Sequence, residues 1–335
     1  MKKLQNISIA LLLFISSGVY AQQESILAFY SNHLNLVNPA AVSVNGETQF
    51  TTSIRQQWTG IKDAPQTQAA SFMTPLSKNL SLGLSVVKDE VFIEKQTFVA
   101  IDFSYKVQLN DALDLFMGIK AGGNNYEVNT NGLETYNIMA DPSLQPISRF
   151  NPNIGIGFYL KHKDYFVSLS TPKMLDTKRA KNEDGFATAA TDQAHYYFSA
   201  GRTFEVTPSI DLVPSIMVRY VNGAPFSTDF TTTAKFDDKI NLGVTYRTDR
   251  SFAGLAKINV SNKLALGLAV VKDEVFIEKQ TFVAIDFSYK VQLNDALDLF
   301  MGIKAGGNNY EVNTSGLQTY TPQQDPSLQL SLIHI

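Results

Sequence analysis

Side chains able to carry covalent or acid–base chemistry are scarce in this chain. There is no Cys among its 335 residues, which excludes thiolate zinc sites, Cys nucleophiles and a disulfide scaffold. The four His are His33, His162, His195 and His334. His195 runs into Tyr196-Tyr197-Phe198 with no G-x-S-x-G or H-E-x-x-H pattern around it, and His162-Lys163-Asp164 reads as a turn. Asp63, Asp111, Asp114, Asp237 and Asp238 lack calcium-loop spacing. Gly155-x-Gly157 has no helix after it, so it makes no phosphate cradle. No catalytic residue, metal ligand or cofactor is therefore expected. With a net charge of −3 and no basic run, the chain is a poor partner for nucleic acid.

What remains is polar recognition. Asn38-Pro39-Ala40 is a turn former. Arg55-Gln56-Gln57-Trp58 is followed by Gly60, Pro65 and Thr67. Trp58, the one Trp, suits either a partner contact or an interfacial ring at headgroup level. Arg55 is expensive against lipid, so it belongs in a lumen or at a rim, where a carboxylate such as Asp102 would pair with it.

Strands must position these groups. Val99, Ile101, Phe103 and Tyr105 alternate with Ala100, Asp102, Ser104 and Lys106, and Ile154, Ile156, Phe158 and Leu160 alternate with Gly155, Gly157 and Tyr159. Successive strand residues face opposite sides, so each segment has an apolar face and a small or polar face. Strands are predicted over 48–56, 67–75, 80–88, 96–107, 113–122, 153–162, 164–171, 194–204, 210–220, 228–236, 239–247, 251–258 and 264–270, with two more near 281–291 and 297–304. Many suit the ~9–11 residues of a tilted membrane-crossing strand. Short links (76–79, 108–112, 163, 205–209, 237–238, 259–263) alternate with longer ones (57–66, 89–95, 123–152, 172–193, 221–227, 248–250), as in barrels with short periplasmic turns and long outer loops. In lipid no backbone polar group can stay unpaired, so the strands must close on themselves. The expected fold is an all-β, transmembrane up-and-down antiparallel β-barrel of the outer membrane with about 12–14 strands. A soluble sandwich would give the same alternation with the apolar face inward, so the packing of Phe103, Phe158 and Tyr246 decides between them.

Met1-Lys2-Lys3, the apolar run Ile7–Ile15 and Gly18-Val19-Tyr20-Ala21 read as a secretory signal cleaved near Ala21. The expected organisation is a signal peptide at 1–21, a periplasmic N-terminal segment at 22–47, a barrel at 48–270, and 271–335 as a near-duplicate of 87–145. Val86–Thr130 is identical to Val270–Thr314, 45 residues at an offset of 184. A single long copy differs from the diverged short repeats of a repeat array. It reads as a recent duplication or, in preference, as two related coding sequences joined in sequence assembly at the shared Leu-Gly-Leu of 82–84 and 266–268. The last residues, Leu330–Ile335, resemble a translated library adapter, an artefactual tail. The register of copied strands against new neighbours is left open.

Phe29-Tyr30-x-Asn32, Leu36-Val37-Asn38-Pro39-Ala40 and Arg55-Gln56-Gln57-Trp58-x-Gly60 through Ala64-Pro65-x-Thr67 occur in that order behind the signal. This combination resembles the PorP/SprF family of the type IX secretion system over residues 1 to about 270; the copied C-terminal part departs from the family's ending. The resemblance implies a non-enzymatic outer-membrane barrel that supports protein secretion and, in some bacteria, gliding motility. The partners it implies are outer-membrane lipid, periplasmic and lipoprotein components of the machinery, and secreted surface adhesins. The same polar-lumen alternation also fits a general diffusion or transport barrel of porin type.

Overall fold

The computed structural model describes residues 34–56, 63–130, 146–175, 177–178, 191–222, 226–237, 239–248, 251–261, 264–275, 278–294 and 297–312. A one-turn helix, α1 (Leu34–Val37), and a 3-10 turn (Pro39–Ala41) precede the strands. These are β1 (Thr48–Gln56), β2 (Gln66–Pro75), β3 (Leu80–Val91), β4 (Glu94–Asn110), β5 (Leu113–Val128), β6 (Ile147–His162), β7 (Tyr165–Thr171), β8 (Thr177–Lys178) and β9 (Thr191–Asp192). They continue with β10 (His195–Arg202), β11 (Phe204–Thr207), β12 (Ile210–Val221), β13 (Ser227–Phe236), β14 (Ile240–Arg247), β15 (Ser251–Asn259), β16 (Leu264–Val275), β17 (Glu278–Asn294) and β18 (Leu297–Val312).

The short β8 and β9 pair only with each other, and the other strands form one sheet in chain order. β10 and β11 both lie along β12 and make a single stave interrupted at Thr203. β18 returns to β1, so fifteen staves close into a barrel, one beyond the upper end of the expected range. A ring in which every neighbour is antiparallel needs an even number of staves. An odd ring must contain one parallel pair, and it falls at β1–β18, from Thr48↔Leu299 to Thr51↔Gly302.

The extra stave comes from the copied segment. β16–β18 repeat the register of β3–β5: Leu264↔Tyr289 reproduces Leu80↔Tyr105, and Glu278↔Val312 reproduces Glu94↔Val128. Even the bulge at Gln108/Asn110 recurs at Gln292/Asn294. Local hairpin sequence thus sets register regardless of the new neighbours. Only the seam is improvised; Thr52 reinforces it by donating from Oγ1 to the Gly302 carbonyl at 2.8 Å. Ending the chain after Asn294 removes β18 and brings β17, which runs antiparallel to β1, to the seam. The truncated chain is expected to keep a heat-modifiable gel shift and to unfold no earlier than the full chain. Loss of the shift would show that β18 is needed for closure.

Tyr159, Ser168, Tyr197, Met217, Thr231, Gly243 and Leu255 come from seven different staves, β6, β7, β10 and β12–β15, yet line one cavity. Staves that far apart share a cavity only across a lumen, so this face points inward. The alternate face points out, with Phe103 38% exposed, Phe158 45% and Tyr246 40%. That eliminates the sandwich and gives the barrel an apolar exterior.

Two of the links expected to be long are shorter. Residues 89–95 were expected as a loop, but β3 and β4 run on to leave only Phe92 and Ile93 between them, with Phe92 at φ 53°. The charges there pair within and across the ladder: Glu90 Oε1 lies 2.8 Å from Lys88 Nζ on its own strand and 3.3 Å from Lys95 Nζ on the strand opposite. The expected loop 123–152 shrinks to 129–146. Its Gly123-Asn124-Asn125 is ladder, not a break, paired with Val99, Phe98 and Thr97.

Candidate functional site

The described part of the N-terminal segment, from Leu34 to Glu47, packs against the inner wall. Asn38 organises it. Its Oδ1 accepts from the Ala40 amide at 2.8 Å, capping the 3-10 turn, and Pro39 fills the first turn position, where no N–H is needed. Its Nδ2 donates to the Phe158 carbonyl at 3.1 Å and to Ser168 Oγ at 2.7 Å. Ser170 Oγ donates to the Val37 carbonyl at 2.7 Å, Ser104 Oγ to the Ala40 carbonyl at 2.9 Å, and Lys161 Nζ to the Val44 carbonyl at 3.0 Å and Asn45 Oδ1 at 2.8 Å. Lys161 lies beside the short turn at 163–164, and Ser104 lies deeper along β4, so the segment enters from the short-turn end and reaches into the barrel.

Glycines make this approach possible. A Cβ on Gly118 would collide with the Pro39–Ala40 backbone, and one on Gly157 with the Asn38 carboxamide. Asn35, Asn38, Pro39, Ala40 and Val42 are all buried. The segment covers the inner face of β3–β7 and leaves a cavity of about 240 Å³ against β10–β15, lined largely by hydroxyl and apolar side chains.

Beneath the segment lies an ion pair. Lys120 Nζ is 2.7 Å from Asp102 Oδ1, with side chains 1% and 0% exposed. They are directly opposed on β5 and β4. A buried pair of this kind adds little net stability, but either partner left alone is strongly destabilising. A second cluster lies at the long-loop end. Asp229, 2% exposed, accepts from Arg247 Nε at 2.6 Å and Nη2 at 3.2 Å, while Arg219 Nη2 sits 3.9 Å from it and donates to Ser227 Oγ at 2.9 Å.

The two sequence motifs do not converge. Asn38, Pro39 and Ala40 form the seated turn. Arg55 and Gln56 end β1, paired with Thr67 and Gln66, at the long-loop end. Nine residues of β1 separate the motifs by roughly 30 Å. Pro65 precedes β2, and Thr67 donates from Oγ1 to Asp89 Oδ1 at 2.5 Å. Gln57, Trp58 and Gly60 lie outside the described residues. The expected pairing of Arg55 with Asp102 fails on register. Arg55 aligns with Thr67, Asp89 and Gln96 on successive strands, and Asp102 is six residues further along β4, roughly 20 Å away.

A model of the family described as type IX secretion system membrane protein PorP/SprF matches residues 19–271 and again 261–334. The chain belongs to the PorP/SprF family. The second match covers the copied strands, so both wall segments are PorP/SprF sequence. Among solved structures, the chain is similar to a FadL homologue of Pseudomonas aeruginosa at 11% identity and a TM-score of 0.37, covering 74% of this chain and 70% of that one. It is also similar to the CymD monoaromatic hydrocarbon channel at 10% identity and a TM-score of 0.41, covering 79% and 81%. No curated protein matches.

Sequence reasoning about this PorP/SprF chain missed the Asp102–Lys120 pair and the seat itself. The pair was findable from hairpin register, since the bulge near Asn110 places residue 102 opposite 120. For the seat, the signal was glycine on the inward strand face at Gly83, Gly118 and Gly157, a floor low enough for the segment to approach the wall closely.

Proposed function

We propose that this PorP/SprF barrel serves the type IX route as a non-enzymatic outer-membrane subunit, stoppered at its short-turn end by its own residues Leu34–Glu47. The observation that carries the reading is the seated Asn38-Pro39-Ala40 turn, which spends every polar atom of the Asn38 side chain on the turn and the inner wall. A pore built for free diffusion gains nothing from such a contact. In this reading the apolar exterior meets outer-membrane lipid, and the short-turn end faces the periplasm and the lipoprotein components of the machinery. The Arg55–Thr67 stretch, with Gln56, Gln57, Trp58, Gly60 and Pro65, is the partner-facing element at the opposite rim, on the side of the exported adhesins. Support of gliding motility and a signal cleaved near Ala21 belong to the same reading.

Two measurements test it. Affinity capture of the tagged full-length chain from outer membranes is expected to recover secretion components; recovery of none overturns the reading. In planar bilayers the chain is expected to show little steady conductance, whereas a constant open current of porin size favours the diffusion barrel. The Asn38 contacts give a third. Asn38→Ala removes three hydrogen bonds and leaves Ser168 Oγ and the Ala40 amide buried without that partner, so the seat should weaken by about 1–3 kcal/mol. Hydrogen exchange across residues 34–47 is expected to rise while the heat-modifiable shift of the barrel stays unchanged.

A further inference from the structure

The Asp102–Lys120 pair has two covers, and they come from opposite ends of the barrel. The row of inward residues that carries it runs Gly83, Asp102, Lys120, Gly155 across β3 to β6. Each flanking glycine supports a different segment. A Cβ on Gly83 would meet Val42 Cγ2 at 3.0 Å, and Asn35, fully buried, faces the Asp102 carboxylate. Both belong to the N-terminal segment. A Cβ on Gly155 would collide instead with the Pro172 backbone. Pro172 opens a strap, residues 172–175, where β7 leaves the wall at Thr171 opposite Ile156 and crosses the lumenal side of β6. Asn153, 4% exposed, holds the strap. Its Nδ2 donates to the Leu175 carbonyl at 2.8 Å, and its Oδ1 accepts from the Met174 and Leu175 amides at 2.9 and 3.2 Å. From the strap, Lys173 reaches across β5 to place Nζ 4.7 Å from the centre of the Phe98 ring, within Coulombic range of Lys120.

We infer that the strap and the N-terminal segment are coupled through this ion pair, so that each is held more firmly once the other has lifted. The inference rests on the reading of Leu34–Glu47 as a seated stopper. Charges out of water carry a desolvation penalty, and this pair is out of water only while both covers are down. Lifting either one lets water reach the pair and relieves most of the penalty. Lys173 adds a like charge near Lys120 in that same doubly covered arrangement. Whichever cover leaves first therefore removes a reason for the other to leave. The strap can lift without disturbing the seat, because β7 stays in the ladder up to Thr171 and there holds the Val37 carbonyl through Ser170. The fold thus favours one cover down at a time.

The test uses the refolded full-length chain in detergent micelles. Hydrogen exchange across residues 34–47 reads the segment, and trypsin cleavage after Lys173, followed by mass spectrometry, reads the strap. Asn153→Ala removes the strap's three hydrogen bonds to that side chain. It is expected to speed cleavage after Lys173 while slowing exchange over 34–47 by roughly 5-fold or more. Asn38→Ala, which loosens the segment, is expected to slow cleavage after Lys173 by the same factor, since coupling is reciprocal. In the Asp102→Leu/Lys120→Met background each variant still loosens its own cover, but both cross-effects are expected to vanish. Exchange over 34–47 that stays level or rises in Asn153→Ala overturns the inference, and so do cross-effects that survive loss of the charges. Asn38→Ala reads the coupling from the other end, so if Asn153→Ala fails to lift the strap, unchanged or faster cleavage after Lys173 in Asn38→Ala overturns it just as well. Steady conductance of the unmodified barrel would defeat the stopper reading alone, and neither of these two readouts measures it.

Discussion

Asp102→Ala is expected to destabilise the barrel by about 3–5 kcal/mol, because it leaves the Lys120 ammonium buried without its counter-charge. The loss is a desolvation penalty and does not measure what the pair contributes. The double variant Asp102→Leu/Lys120→Met removes both charges and is therefore expected to recover most or all of the loss, as replacements of buried pairs by apolar residues commonly do. The duplication supplies an internal control. Asp286 has the same strand position and the same near sequence as Asp102, but it is partly exposed where Asp102, beneath the N-terminal segment, is fully buried. Asp286→Ala should cost far less. Urea unfolding midpoints read from the folded and unfolded gel bands would give all three values. Equal losses at 102 and 286 would show that cover by the segment is not what makes the pair costly to break.

Strand existence was legible because period-two alternation is a local property. Phe103 and Tyr105 face out and Asp102 and Ser104 face in, as their spacing requires. Strand ends were less legible. Lys88-Asp89-Glu90 and Glu94-Lys95 look like a solvated loop in one dimension, yet they continue the ladder as opposed charges. Gly122-Gly123 looks like a breaker, yet each glycine sits where a neighbour leaves no room for a Cβ. Closure depended on a count. The alternation gave each stave separately, but the parity that forces a parallel β1–β18 seam appears only when the ring is complete. The seat was hidden for a related reason. Asn38-Pro39 announces a turn, but its partners Phe158 and Ser168 lie 120 and 130 residues away, and a glycine on the lumenal face of a strand reads the same whether or not a chain rests on it.

Gly118→Leu is expected to release the N-terminal segment from the wall. The new side chain would occupy the space of the Pro39 and Ala40 backbone, and backbone cannot rotate aside as a flexible side chain can. Overpacking of this kind costs about 1–3 kcal/mol, which moves the seated-to-released ratio by roughly 5- to 150-fold. Gly118 lies on an inward face opposite Ser104 and Gly157, so the leucine points into the lumen, away from lipid, and the ladder of β4, β5 and β6 has no reason to shift. Closure and release should thus separate experimentally: the gel shift persists while trypsin cleavage within residues 34–47 and bilayer conductance both rise. Met117→Leu, one position away on the lipid-facing side, changes bulk at the same height of the barrel without touching the segment and is expected to leave both unchanged. A rise in cleavage without a rise in conductance would detach seating from stoppering, and the lumen would then be closed by something other than this turn. A rise in both ties the Asn-Pro-Ala turn, through the glycine floor at Gly118, to what passes through the barrel.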